Sequence, residues 1–165
     1  MATIIPNAVN PFQMPVGVVG AWANMEEDNA RTAFAESQFA SAIPLMKGTG
    51  EEGALPLTTG NRFIGIALRT NDMLGTPTAD GEPTFRIGDL FGVADMGTVF
   101  VLAGASVTRG ANAFYDPATR KFHGATATGR LPLPTVEFDT NATEGQPVGL
   151  RIRVLPGAAN VTAAT

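Results

Sequence analysis

Short runs of β-branched and aromatic residues, separated by turn residues, constrain the fold of this chain more than any other feature. RFIGIALR occupies Arg62–Arg69, and in PVGLRIRVLP the apolar Leu150, Ile152 and Val154 alternate with arginines. Turn signals recur at intervals of about 8–12 residues, which is typical of a β-sandwich or barrel. We therefore predict an all-β fold: a small sandwich or barrel of short antiparallel strands.

Two segments are predicted to form β-hairpins. The first is GDLFGVADMGTVFVLAG, Gly88–Gly104, in which Asp95–Gly97 separates two apolar runs. Glycine supplies the positive φ that a tight hairpin turn needs. The second has a strand near Asn112–Tyr115, a turn at Asp116–Thr119 and a return strand over Lys121–His123. An aspartate before proline favours that turn, because the carboxylate caps the backbone and proline presets φ.

Further strands are predicted along the rest of the chain. Asn29–Phe39 alternates as a strand does, although an N-cap at Asn24 or Asp28 before alanine-rich turns leaves a helix open there. Gly65 interrupts an apolar run and indicates a bulge or a close backbone approach. The other predicted strands are Pro15–Trp22, Ser41–Gly50, a short piece following the turn at Glu51, Leu131–Asp139 and Pro147–Pro156.

The chain is predicted to form one domain with an arm and a tail. Residues 1–15 carry three prolines and are read as an extended arm, 16–156 as the β domain, and 157–165 as a frayed tail. The arm is too apolar for a freely solvated tail, which favours docking on a neighbouring subunit or partner; the alternative is that it covers the chain's own core. Its candidate partner contacts are Ile4, Ile5, Val9, Phe12 and Met14.

Composition excludes several kinds of partner. Charged residues are 16% of the chain, hydrophobic residues are 44%, and the net charge is −4 with no cluster of Lys or Arg. The electrostatic signature of nucleic-acid or anionic-membrane binding is therefore missing. The N-terminus has no basic region and its apolar stretch is broken by prolines, so neither a signal peptide nor a membrane span is predicted. The absence of cysteine fits synthesis in a reducing cytoplasm.

The chemistry-bearing residues do not form a catalytic or ligating pattern. His123 is the only histidine and no nucleophile motif accompanies it, so it is read as a surface or hairpin residue. The acidic groups Glu26–Asp28 and Asp72, Asp80 and Glu82 lack the spacing of a calcium loop and are read as solvated loop charges. We predict no catalytic residue, no cofactor and no metal site. A carboxylate pair for glycoside hydrolysis stays open, because such pairs meet only in the fold.

The segment Asn71–Pro83, NDMLGTPTADGEP, has the glycine, proline and aspartate density of a long loop. Loops of this length in compact domains are often functional, which makes this one a candidate contact loop. Its candidate partner contacts are Asp72, Met73 and Leu74.

The order of these segments resembles the structural cement, or head-decoration, proteins of tailed bacteriophages. The resemblance covers about Asn29–Gly124 and includes RFIGIALR, RIGDLFGVADMGTVFVLAG and VTRGANAFYDPATRKFHG. The matching positions are Gly65, Ile66 and Ala67; Gly88, Asp89, Val93, Gly97, Val99 and Val101; and Val107, Gly110 and Tyr115.

The resemblance implies a virion protein without catalytic residues. It implies binding to the major capsid protein at capsomer junctions, a homo-oligomer with a trimer favoured over a dimer, and a place on the capsid after synthesis in the host cytoplasm. A sugar- or receptor-binding β module of a phage tail or fibre is the alternative, and would be favoured if Trp22 and Tyr115 shared an exposed face. A glycan hydrolase is a third and weaker reading.

Overall fold

The computed structural model describes residues 17–24, 28–70 and 73–165, and in those ranges the chain forms strands and no helix. The all-β prediction is confirmed. The strands are β1 (Asn29–Ala35), β2 (Phe39–Ala40), β3 (Pro44–Lys47), β4 (Gly53–Pro56), β5 (Phe63–Ala67), β6 (Thr84–Phe85), β7 (Leu90–Leu102), β8 (Asn112–Asp116), β9 (Lys121–His123), β10 (Leu131–Phe138) and β11 (Pro147–Arg153).

Five strands close into a barrel. Their order is β1-β4-β3-β5-β7, and β1 pairs with β7 as well, so the sheet returns to its own first strand. All neighbours are antiparallel except β1 and β4, which are parallel. The alternation of each strand sends one set of side chains inward, where Ala33, Ala35, Leu45, Ala67 and Val93 are buried.

The sheet continues beyond the barrel from the second half of β7. The order there is β7-β11-β10-β8-β9, all antiparallel. The sheet curls until β9 meets the end of β7, where Ala103 forms a parallel bridge with Phe122 and the Gly104 N–H donates to the Phe122 carbonyl at 2.7 Å. This second core is filled by buried side chains that include Val99, Val101, Phe122, Phe138, Val148 and Leu150.

The hairpin predicted at Gly88–Gly104 is wrong. Leu90–Leu102 is one strand of 13 residues, and Asp95–Gly97 lies inside it. Gly97 does have a positive φ of 120°, but a Cβ there would lie 2.6 Å from the ring of Trp22. A glycine inside a strand marks a bend or a close approach instead of a turn. Around Gly97, β7 exchanges its partner β1 for β11.

Most of the other local predictions agree with the structure. Residues Asn29–Ala35 form a strand, as predicted, and not the helix that the sequence also allowed. The second hairpin forms from β8 and β9, and Asp116 Oδ1 accepts a hydrogen bond from the Ala118 N–H at 2.9 Å, as expected for its turn. At Gly65 the register between β3 and β5 shifts, and an added Cβ would lie 2.3 Å from the Ala94 carbonyl oxygen, so both predicted roles of this glycine are present.

Two predictions for the ends of the chain need correction: the strand at Pro15–Trp22 and the frayed tail at 157–165. A third, the extended arm at 1–15, lies outside the described residues. Of the strand predicted at Pro15–Trp22, the described residues form a turn and a single bridge between Trp22 and Val99. The tail 157–165 is not frayed, because Val161 is buried and bridges Asn61, and the Ala164 N–H donates to the Arg130 carbonyl at 3.1 Å.

Candidate contact surface

Three large apolar side chains are exposed around β6. Ile87 is 74% exposed, Leu90 67% and Leu74 66%, the highest values for large hydrophobic residues in the part of the chain described. Leu74 precedes Gly75, which bridges Thr84 of β6; Ile87 follows β6 and Leu90 begins β7. We call Leu74, Ile87 and Leu90 the β6 surface. Exposed apolar side chains gathered in this way are typical of an interaction site.

The turn that carries Ile87 is fixed by Asp89. The Arg86 backbone N–H donates to Asp89 Oδ2 at 2.8 Å, and Arg86 Nη2 lies 3.2 Å from Asp89 Oδ1. On the other side, the Gly88 N–H donates to the carbonyl of Ala35 at 2.7 Å. The Arg86 backbone N–H, followed by its side chain, lowers the pKa of Asp89 from its ordinary value. Ile87 is therefore presented from a turn whose backbone is held in place.

Three phenylalanine rings form the base beneath the β6 surface. The ring centroids of Phe85 and Phe91 are 4.7 Å apart, and Phe39 meets these rings edge-on at 5.6 and 5.3 Å respectively. Phe85 is only 1% exposed. The cluster joins β2, β6 and β7, so the strands next to the β6 surface are anchored in the core.

The predicted contact loop is tied to the domain at two places. Thr84 Oγ1 and Gln38 Nε2 each donate to the Thr76 carbonyl at 2.8 Å. Farther along, Arg120 Nη2 forms an ion pair with Asp80 Oδ2 at 2.7 Å. The loop residues between these contacts are thus held near β6 and near the turn between β8 and β9.

The sequence-predicted contacts divide into two groups. Ile4, Ile5, Val9, Phe12, Met14 and Asp72 lie outside the described residues. Met73 is partly buried against the core, whereas Leu74 is exposed. Sequence reasoning misses both Ile87 and Leu90, because it places Leu90 in a core-building hairpin and assigns no role to Ile87, which precedes the predicted start of that hairpin at Gly88. One signal for exposure was present at Ile87: it lies next to the turn glycine in Arg-Ile-Gly-Asp, outside any alternating strand pattern that would bury its side chain.

Other kinds of site find little support in the described residues. They hold no group of three or more His, Cys, Asp or Glu side chains placed to ligate a metal ion. No helix there is long and apolar enough to cross a membrane. Tyr115 is buried, so it does not share an exposed face with Trp22 as a sugar-binding platform would require.

His123 lies in the predicted hairpin but is buried, not at the surface. It is 6% exposed, and neither ring nitrogen has a hydrogen-bond partner among the described residues. A Cβ on Gly104 would lie 2.3 Å from the ring, so the imidazole rests against the glycine backbone where β9 meets β7. Burial, with Arg130 and Lys121 nearby, lowers the pKa of His123; Asp116 and Glu144 act in the opposite direction.

We expect acid to destabilise the fold through His123. The unfolded chain takes up the His123 proton near pH 6.5, whereas the folded chain resists it to a lower pH, so the stability contributed above about pH 6.5 is lost as the pH falls. Thermal melts between about pH 7.5 and about pH 5.5 should show this slope reduced in His123→Leu, which cannot titrate. Parallel pH profiles for the two proteins would contradict the assignment.

A barrel whose sheet continues into a curled extension, with an anchored apolar surface and no ligating cluster in its described residues, defines the class of all-β structural or binding modules. The family model described as "Structural cement protein (E217 gp24/Pam3 gp6)" matches residues 5–153. The chain therefore belongs to the structural cement protein family, as the sequence resemblance indicated. Membership implies a structural role in a phage particle instead of an enzymatic one.

Comparison with solved structures agrees with the fold. A chain from "The capsid of Myoviridae Phage XM1" superposes with a TM-score of 0.66 at 16% identity, covering 89% of this chain and 96% of that one. A chain from "The crystal structure of head fiber gp8.5 N base in bacteriophage phi29" gives a TM-score of 0.44 at 16% identity, covering 79% and 100%. At this identity the first likeness shows the fold alone. A search of curated proteins found no match.

Proposed function

We propose that this protein is a capsid cement protein that binds the major capsid protein at capsomer junctions and stabilises the head. The observation that carries the proposal is the family match over residues 5–153. The β6 surface supports it, because a protein that works by adhesion needs exposed apolar area on a rigid base. Synthesis in the cytoplasm of the bacterial host and assembly onto the virion complete the proposal.

The contact residues belong to two regions in this proposal. The first is the arm, through Ile4, Ile5, Val9, Phe12 and Met14, which reaches a neighbouring molecule. The second is the β6 surface with the adjoining loop residues Asp72 and Met73. Each contact is weak by itself, but a shell presents many sites at once, and multivalency raises the overall affinity.

Binding to empty heads tests the proposal directly. Purified protein is mixed with heads that lack it and sedimented, and the decorated heads are imaged by cryo-electron microscopy. We expect saturable co-sedimentation and density that bridges neighbouring capsid subunits. Failure to find any copy on the shell would refute the proposal. Density at three-fold positions would support the trimer that we favour, whereas density at two-fold positions would indicate a dimer.

The β6 surface should supply much of the affinity for heads. Burying an Ile or Leu side chain is worth about 1.5–3 kcal/mol, so Ile87→Asp or Leu90→Asp should each weaken head binding by about 10- to 100-fold. Both side chains are exposed in the isolated protein. The thermal midpoint should therefore change little, and the loss is measured by co-sedimentation over a range of protein concentrations.

Leu155→Asp is the matched control for these two variants. Leu155 is also exposed, but its carbonyl accepts a hydrogen bond from Arg62, which precedes β5 at the opposite end of the barrel. The Leu155 variant should bind heads as the wild type does. Equal losses in all three variants would show that the β6 surface has no special part in binding.

A further inference from the structure

Among the described residues, one side of β1 has no strand partner over most of its length. The Ala35 N–H donates toward β7, to the Asp89 carbonyl at 3.0 Å, whereas the Phe34 N–H donates the other way, to the Glu52 carbonyl at 3.0 Å. Alternation along β1 then directs the backbone groups of Ala30 and Thr32 away from β7. Within the described residues, pairing with β4 covers only Phe34 and Ala35.

The open side of β1 faces a cleft. The cleft has a volume of about 600 Å³ and is lined by Arg31 and Thr32 of β1, by Met46 and Lys47 of β3, and by Ile64 of β5. Its wall is therefore part apolar and part charged. The residues from Asn29 to Ala33 give a free edge of about 16 Å, which is enough to pair with a short extended segment.

The direction of the chain before β1 indicates where its own N-terminus leaves the domain. The Gly20 N–H donates to the Phe100 carbonyl at 2.7 Å, and the Ala23 N–H donates to the Thr98 carbonyl at 2.7 Å. This segment runs antiparallel to the second half of β7. Gly17, the first described residue of this segment, lies against the ring of Phe100, about 27 Å along β7 from Gly92, the residue that pairs with Thr32. An arm continuing in this direction leads away from its own free edge.

The arm contains one segment suited to pair with such an edge. Residues 1–5 are its longest run without proline, and Thr3, Ile4 and Ile5 are all β-branched. β-branched residues favour strands, whereas prolines such as Pro6 cannot donate to a ladder. The free edge and this run are both about five residues long.

We propose that residues 2–5 of one copy pair as an added strand with the free edge at Ala30 and Thr32 of a second copy. Two observations support this: the β1 edge near one end of β7 has no partner among the described residues, and the segment at residues 17–23 lies along the other half of β7. Such a contact either closes reciprocally between two copies as a two-fold dimer or links copies head to tail into a ring or a chain. This inference rests on the proposed function, because joining neighbouring copies across the shell is one way to reinforce it.

Disulfide trapping tests the proposal in the 165-residue chain, which has no cysteine of its own. Thr32→Cys protein is mixed with Thr3→Cys, Ile4→Cys or Ile5→Cys protein, in solution and on heads, and oxidised. We expect mixed disulfide dimers whose yields alternate along the arm, because neighbouring residues of a strand point to opposite faces. Thr126→Cys, in an exposed loop, is the control for collision and should give few mixed dimers.

Proline variants test the pairing itself. Thr32→Pro removes an N–H that points away from β7, so the domain should keep its thermal midpoint. Because Thr32 is then no longer available as the cysteine site, trapping uses Ala30→Cys in the same chain as Thr32→Pro. The yield of mixed disulfide between this protein and the Ile4→Cys protein should fall to the control level. Arg31→Pro removes an N–H that faces β7, together with the hydrogen bond that Arg31 Nη2 donates to the Ile64 carbonyl at 3.2 Å, and should lower the thermal midpoint.

Two outcomes would overturn the inference: no mixed disulfide above the control, or a double variant Ile4→Cys/Thr32→Cys that closes within single chains at high dilution. Head binding separates this inference from the proposed function. Variants that bind heads without trapping refute the inference alone. Trapping in a protein that never binds heads refutes the proposed function alone.

Discussion

Gly65→Ala is expected to lower the free energy of unfolding by about 4 kcal/mol, because strain in a backbone conformation reserved for glycine adds to an overlap with backbone. Gly65 has a φ of 147°, and an added Cβ would lie 2.3 Å from the Ala94 carbonyl oxygen. That carbonyl belongs to β7, so relief of the overlap requires the barrel to open between β5 and β7. Chemical denaturation gives the free-energy difference.

Gly110→Ala is the matched control. Gly110 has a positive φ of 82°, but no atom lies within 4 Å of the position of its Cβ. The substitution should therefore cost only the conformational penalty, about 1–2 kcal/mol. Similar losses at the two glycines would contradict the role given to the close approach between β5 and β7.

Phe85→Ala is expected to cost about 3–5 kcal/mol and to impair head binding as well. Phe85 stacks on Phe91 and meets Phe39 edge-on, and its removal leaves a cavity that two rings on separate strands cannot fill without moving. The same residue precedes the turn that presents Ile87. Denaturation measures the first effect, and co-sedimentation with heads, at a temperature where the variant is still folded, measures the second.

Phe114→Ala is the control for Phe85→Ala and separates the effect on stability from the effect on head binding. Phe114 is only partly buried on β8, in the part of the sheet beyond the barrel, so its truncation should cost less than about 2 kcal/mol. Head binding should stay at the wild-type level. If Phe85→Ala and Phe114→Ala bound heads equally well, head binding would not require the phenylalanine cluster to anchor the β6 surface.

The expected acid sensitivity bears on how the protein would behave on a particle. His123 sits where β9 closes onto the end of β7, and its ring nitrogens have no partner among the described residues. Protonation of His123 is therefore expected to loosen the closure between β9 and the end of β7 first. The β6 surface, whose Asp89 has a lowered pKa, is expected to keep its shape to a more acidic pH than this closure.

Local patterns were sufficient for the strands whose signals are local. The turn at Asp116–Thr119 carries its own capping carboxylate, and β11 alternates strictly, so both were predictable from a few neighbouring residues. Gly65 was also readable as a special position. In each case the interactions that decide the structure lie within a few residues of one another in the sequence, or follow from the absence of a side chain.

The same reasoning failed at Gly97. A glycine with positive φ is compatible both with a hairpin turn and with a bend inside a strand. The choice depends on Trp22, which occupies the space beside Gly97, and on β11, which arrives from residues far along the chain to pair with the second half of β7. Neither neighbour leaves a trace in the local pattern.

The sequence by itself determined the all-β class, most strand positions and the resemblance to cement proteins, because alternation and turn chemistry act over short distances. Only the tertiary structure decided that one long β7 serves both the barrel and the strands beyond it, that Ile87 and Leu90 are exposed and that His123 is buried. It also decided that one side of β1 has little pairing among the described residues. The physical reason is that burial and strand pairing depend on segments distant in the chain. A contact surface is what those long-range pairings leave uncovered.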